Sequence, residues 1–135
     1  MATHFLDTNV ILRHVLGDHP ELSPRATAYF RRIERNEVQV RTTDTVLFET
    51  VFTMERTYKL AKSEIRDTIL PLLQLPGILI PGKRYLEKVF DLYIGLNISF
   101  ADAYHAVIME RYKLTEIATF DRDFDRIPGI SRVQL

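Results

Sequence analysis

Apolar positions along the chain fall into short runs and helical stripes, separated by capping and turn residues. Thr3 to Leu6 is a β-compatible run closed by Asp7. Val10, Ile11 and Leu12 then open a pattern continued at Val15 and Leu16, the spacing of one helix face, which stops near Gly17. Ser23 followed by Pro24 is a helix-start signal, with Ser as N-cap and Pro in the first turn. Ala26, Tyr29, Phe30 and Ile33 mark the inward stripe of that helix, which ends near Asn36. Val38 to Arg41 predicts a short strand. Thr43 or Asp44 caps a helix running through Tyr58, whose stripe is Leu47, Val51, Met54 and Tyr58.

Ser63 opens a further helix carrying Ile65, Ile69, Leu72 and Leu73, with Pro71 inside it predicting a kink or an early end. Gly77 to Pro81 holds a brief apolar strand. Arg84 to Leu96 reads as a helix with Leu86, Val89, Phe90 and Tyr93 inward, stopped by a left-handed Asn97. Ala101 to Tyr112 is one more helix. Glu116 to Thr119 is then a strand, Asp121 to Arg126 a turn or short helix, and Ile130 to Val133 an edge strand. Strands alternating with helices, without repeats or linkers, predict an α/β fold: a central, mostly parallel sheet of roughly four or five short strands flanked by helices. Ligands of such sheets bind beyond the carboxyl ends of the strands.

At 135 residues the chain matches one compact domain, since domains run to about 150 residues, and a two-domain enzyme is excluded. Hydrophobic residues make up 46% and charged residues 27%, enough for a core and a solvated surface without the charge excess of a disordered chain. Eighteen basic residues balance eighteen acidic ones, so attraction to nucleic acid must come from local patches. Zero cysteines exclude disulfides, a thiolate zinc site and a cysteine nucleophile, and fit a reducing cytoplasm. Asp7 interrupts any leader-like apolar run, and the longest uncharged stretch, Thr68 to Gly82, is broken by Pro71, Pro76 and Pro81. No membrane partner is expected.

Three acidic residues lie where this architecture gathers strand ends: Asp7 after the first strand, Asp102 in the first turn of a helix, and Asp121 after the strand Glu116 to Thr119. Glu49 is a fourth. At about 100° per residue it stands opposite the stripe of its own helix, flanked on that outer face by Val46 and Phe52, a composition suited to a cleft or a partner surface. Clustered carboxylates repel unless a cation joins them, and oxygen-only donors favour hard Mg²⁺ or Mn²⁺ over zinc. The chemistry that follows is phosphodiester hydrolysis. Each residue also has a structural reading: Asp7 as a helix cap, Ser99 with Asp102 as a capping box, Glu49 as a solvated helix face. Asp121, Asp123 and Asp125 do not form a calcium loop, because Arg126 stands where that loop needs Gly and Arg132 where it needs Glu.

Taken jointly, these segments resemble the PIN domain family, specifically its short ribonuclease toxins of the VapC type. The likeness covers nearly the whole chain. It rests on Phe5-Leu6-Asp7-Thr8-Asn9-Val10, on Glu49, on Ser99-Phe100-Ala101-Asp102-Ala103 and on Thr119-Phe120-Asp121-Arg122-Asp123-Phe124. The resemblance implies a metal-dependent endoribonuclease acting on RNA, with Asp7, Glu49, Asp102 and Asp121 matching its acidic quartet and Asn9, Thr119 and Ser99 as polar support. Asp123 competes with Asp121 within the Asp-x-Asp pattern, and Asp121 ranks first. A departure from the family pattern, Met109 and Tyr112 where small residues are usual, bears on helix packing rather than chemistry. The resemblance also implies a homodimer and a protein antitoxin covering the cleft, with Val46, Phe48 and Phe52 as candidate contacts.

Arg25, Arg31, Arg32 and Arg35 give the second helix a basic surface, and Arg13 projects from the first. Arg pairs bidentately with phosphate, so these residues suit RNA positioning without sequence readout, or else form an ordinary solvated face. His105 shares a helical face with Asp102, a place from which it can bond to a carboxylate or approach substrate, with a structural role preferred; His4, His14 and His19 show no metal spacing. Three other readings compete. A small phosphatase of the haloacid dehalogenase type needs a second Asp where Asn9 stands. A receiver-like signalling domain with an acidic Mg²⁺ pocket needs paired acids after the first strand, and Asp7 has no acidic neighbour. A non-catalytic RNA-binding domain is the third.

Overall fold

A computed structural model describes residues 1–135 as two compact units, Met1–Arg84 and Tyr85–Leu135. In the first, the chain runs β1 (Ala2–Phe5), α1 (Thr8–Leu16), α2 (Leu22–Glu34), β2 (Val38–Arg41), α3 (Asp44–Arg56), α4 (Lys62–Leu73) and β3 (Ile78–Leu79). The strands pair in parallel in the order β1-β2-β3, with Phe5 opposite Arg41 and Arg41 opposite Leu79. Parallel pairing demands long connections, and the helix pairs α1–α2 and α3–α4 supply them. Val38 and Val40 of β2 are fully buried while Gln39 and Arg41 are not, the period-two signature of a strand with one face packed.

Local chemistry sets the helix ends. Gly17 closes α1 in the left-handed region, at φ 61°, with its N–H bonded back to the Arg13 carbonyl. At α2 the expected Ser23 cap is wrong: the helix starts at Leu22, and Ser23 is buried within its first turn. The His19 ring does the capping instead, its Nδ1 accepting from the N–H groups of Glu21 and Leu22 at 3.2 and 3.0 Å. Pro24 still fits, because first-turn N–H groups have no intrahelical partner. Helix α4 runs two residues past Pro71 before ending at Leu73, so no early end occurs. Proline removes only its own donor and, this close to the terminus, burial of Ile69, Leu70 and Leu73 outweighs that loss.

Helices α1 and α2 pack on one another through His14. Its Nδ1 lies 2.9 Å from the Thr27 hydroxyl, and its ring stacks on Phe30 with centroids 4.5 Å apart. Gly77, just before β3, admits no side chain: a Cβ there would stand 2.9 Å from Cγ2 of buried Ile33 and 3.2 Å from the Ile33 carbonyl. Behind β3, the Lys83 ammonium donates to the Leu75 and Ile78 carbonyls at 2.6 and 2.7 Å, and its burial lowers its pKa.

The second unit contains α5 (Leu86–Gly95), α6 (Phe100–Arg111), β4 (Glu116–Ile117), a 3-10 turn (Arg122–Arg126) and β5 (Ser131–Arg132). Helices α5 and α6 pack around Phe90, Tyr93 and Phe100, whose rings meet at centroid separations of 4.9 to 6.2 Å. Asn97 takes the left-handed conformation, at φ 50°, that lets the chain leave α5. Met109 is buried and Tyr112 lies exposed at the end of α6, so the helix accommodates both departures from small residues. Strands β4 and β5 pair in parallel. Arg132 donates to both carboxylate oxygens of Asp125, at 2.9 and 3.1 Å, tying the 3-10 turn to β5. All five expected strands form and every pairing is parallel, three strands in one ladder and two in the other. No helix is long and apolar enough to cross a membrane.

Two outcomes follow from this packing. Burial, with help from Arg31, holds the His14 pKa below its usual value against the opposing pull of Glu34. A depressed folded pKa means that the His14 contribution is present above about pH 6.5 and is lost as pH falls through the folded value. Urea midpoints should therefore drop from pH 7 to pH 5, and by less in His14→Gln. Gly77→Ala should lose about 1–3 kcal/mol in the same assay, because Ile33 has no room to yield, while Gly95→Ala, with open space around it, should not destabilise.

Candidate functional site

The second unit brings three of the singled-out carboxylates together. Ser99 caps α6 from an extended conformation, its Oγ accepting from the Asp102 N–H at 3.1 Å, which fixes Asp102 in the first turn. The capping reading is thus realised on the Ser99 side. After β4, the Thr119 hydroxyl accepts from the Asp121 N–H at 3.1 Å. Asp121 in turn caps the 3-10 turn, its Oδ1 accepting from the Asp123 N–H at 2.8 Å. Asp102, Asp121 and Asp123 each present one oxygen, and the three oxygens lie within 4.8 Å of one another. The turn therefore brings both members of the Asp-x-Asp pair to Asp102, where the sequence reading ranked Asp121 ahead of Asp123.

The electrostatics follow from this crowding. Burial, reinforced by the charges of Asp121 and Asp123, pushes the Asp102 carboxyl above its usual pKa, and the Ser99 hydrogen bond and His105 oppose the rise. Arg126 pairs with Asp123 at 3.0 Å, and Arg132 holds Asp125 outside the cluster. These two arginines stand where a calcium loop would need Gly and Glu; here they position the turn. Even with Asp123 sharing its charge with Arg126, the three carboxylates form an all-oxygen, anionic donor set of the kind that fits a hard divalent ion.

In the first unit, Asp7 follows β1 as the N-cap of α1, yet its side chain makes no capping bond. The cap reading of Asp7 is therefore not realised. The carboxylate is exposed at the helix end that favours negative charge. Next to it, the Thr8 hydroxyl is buried without a partner. Asn9 is exposed and lines a cavity of about 460 Å³ with Phe5, Arg13, Arg25 and Tyr29.

Glu49 is exposed on α3, and Phe52 on the same helix is 61% exposed with Arg56 over its ring. Val46 corrects the reading of this face: it is only 6% exposed and belongs to the core. Packing against both α1 and α4 widens the buried arc of α3 beyond the single stripe Leu47, Val51 and Met54. Among the basic residues, Arg13 pairs with Asp18 at 3.1 Å, and Arg32 approaches Glu37 at 3.9 Å and the Tyr29 ring at 5.8 Å. Arg25 and Arg35 are exposed. His105 acts on Asp102, as its place on the same helical face allowed; the role of Arg126 was not assigned from sequence, its signal being the i, i+3 spacing from Asp123.

Comparison with known proteins identifies a family. The model of the PIN domain family matches residues 4–130. A protein of Aquifex aeolicus (strain VF5) named VapC ribonuclease is 20% identical over 122 residues, covering 90% of each chain. With one family pattern running through almost its entire length, the chain belongs to the PIN domain family.

Proposed function

We propose that this protein is an Mg²⁺- or Mn²⁺-dependent endoribonuclease and the toxin of a toxin–antitoxin pair, acting in the cytoplasm. The observation that carries the reading is the convergence of Asp102, Asp121 and Asp123 in a PIN domain chain, whose relative is named a ribonuclease. Residues 1–135 act as one nuclease domain, a reading supported by the single family match that spans both units. Asp7, Glu49, Asp102 and Asp121 are assigned as catalytic, metal-holding carboxylates, with Asn9, Ser99, Thr119 and Asp123 in support.

A divalent ion, when bound, supplies Lewis-acid stabilisation of charge on the phosphoryl oxygens. The chain's own contribution is placement. Ser99 and Thr119 fix the backbone of Asp102 and Asp121, and the Asp121 carboxylate fixes that of Asp123, so the oxygens need little rearrangement to act. Uncompensated, the same carboxylates would repel an RNA phosphate, which makes activity conditional on the ion. Homodimerisation and a protein antitoxin belong to the same reading, with exposed Phe52 and half-buried Phe48 as the contacts available on α3.

Incubation with mixed RNA should give cleavage in Mg²⁺ or Mn²⁺ and none in chelator. Asp7→Asn should remove most of it while leaving the circular dichroism spectrum unchanged. Asp102→Asn should weaken Mn²⁺ binding by at least the roughly 10- to 100-fold that loss of a supporting partner costs a metal site. Full cleavage in chelator, or by Asp7→Asn, would overturn the assignment. For the basic surface, Arg25→Glu with Arg35→Glu should weaken RNA binding and flatten its salt dependence by about one unit of slope per lost phosphate contact. Arg13 and Arg32, already engaged by Asp18 and Glu37, should matter less. Identical affinities across a salt series would remove α2 from the binding surface.

A further inference from the structure

Phe120 stands out among the exposed apolar residues of the chain. It is 84% exposed, more than Phe5 at 62% or Phe52 at 61%. Four aromatic rings of the second unit have partners: Phe90, Tyr93 and Phe100 pack on one another, and Tyr85 lies under Arg111 at 4.1 Å, while Tyr112 at the end of α6 is 66% exposed. The Phe120 ring has none.

Its backbone is held firmly. The chain bends at Phe120, between Thr119, whose hydroxyl accepts from the Asp121 N–H, and Asp121, whose carboxylate accepts from the Asp123 N–H. The backbone that carries this flat apolar ring is therefore fixed, one residue, about 3.8 Å along the chain, from a member of the acidic cluster. Arg122, exposed on the other side of Asp121, adds a positive charge.

An occupant of this spot must present a flat apolar face beside a group that tolerates, through a divalent ion, three carboxylates. An apolar protein or lipid surface meets the first demand and fails the second. A nucleotide meets both: its base stacks on an aromatic side chain at a cost of little sequence preference, and its phosphate is the group that a divalent ion draws to carboxylates. We infer that Phe120 is a base-stacking platform, positioning the nucleotide next to the phosphodiester at the acidic cluster. The inference rests on the ribonuclease reading above and adds a substrate-positioning residue to it.

Phe120→Ala removes an exposed side chain, so the fold should persist. It should raise KM for RNA about 10-fold or more while kcat stays within about two-fold, and Phe120→Tyr should restore KM. The chain contains no tryptophan, so Phe120→Trp places a single fluorophore at the proposed contact. In stopped-flow mixing with Mg²⁺, its emission should be quenched by single-stranded RNA before cleavage, and not by an abasic sugar–phosphate strand of equal length. If the wild type cleaves RNA but Phe120→Ala leaves KM unchanged, or the two strands quench equally, the stacking role is wrong and the ribonuclease reading stands. If the wild type cleaves no RNA with either metal, the ribonuclease reading fails and takes this inference with it.

Discussion

Asp102, Asp121 and Asp123 repel one another, and the second unit is built to hold them together despite that repulsion. No long strand does this work, since β4 and β5 are two residues each. Side chain-to-backbone bonds do it instead. Ser99, Thr119 and Asp121 each accept an N–H from a residue two or three positions ahead, and each bond removes freedom that the repelling side chains would otherwise use to separate. Arg126 and Arg132 relieve part of the charge, one on Asp123 and the other on neighbouring Asp125. The result is a concentrated negative charge, and burial together with the neighbouring carboxylates raises the Asp102 pKa.

The first unit meets a different constraint. Parallel strands need covering crossovers, and a small unit has little apolar surface to devote to them, so polar residues join the helix packing. His14 meets Thr27 and Phe30 between α1 and α2, His19 caps α2, and Lys83 saturates carbonyls behind β3. Two of these are histidines without metal spacing, and both prove structural.

Periodicity located every helix and strand, because stripes such as Leu86, Val89, Phe90 and Tyr93 are dictated by burial alone. What it missed depends on tertiary partners. Ser23 has the residue type of a cap, but the His19 ring reached the free N–H groups first. Pro71 marks a helix end, but its effect is limited to one donor when the terminus is two residues away. Val46 looked outward by its angle from the stripe Leu47, Val51, Met54 and Tyr58, and packing of α3 against both α1 and α4 buries it. At the site, residue types and order identified the acidic segments, yet nothing in the spacing revealed that a 3-10 turn would direct Asp121 and Asp123 to the same place. Phe120 was legible only as part of a motif; its exposure is a property of the folded chain.

The bidentate bridge from Arg132 to Asp125 has a wider meaning for how the second unit keeps its shape. Residues 131–133 also draw in β4 through the Ser131 and Val133 amides, which bond the Thr115 and Ile117 carbonyls. The segment that carries Thr119, Asp121 and Asp123 is thus fastened at both ends by the same few residues, as a buckle holds a strap. Mobility in this short stretch and sharpness of the acidic centre are therefore one property, and whatever loosens the first blurs the second.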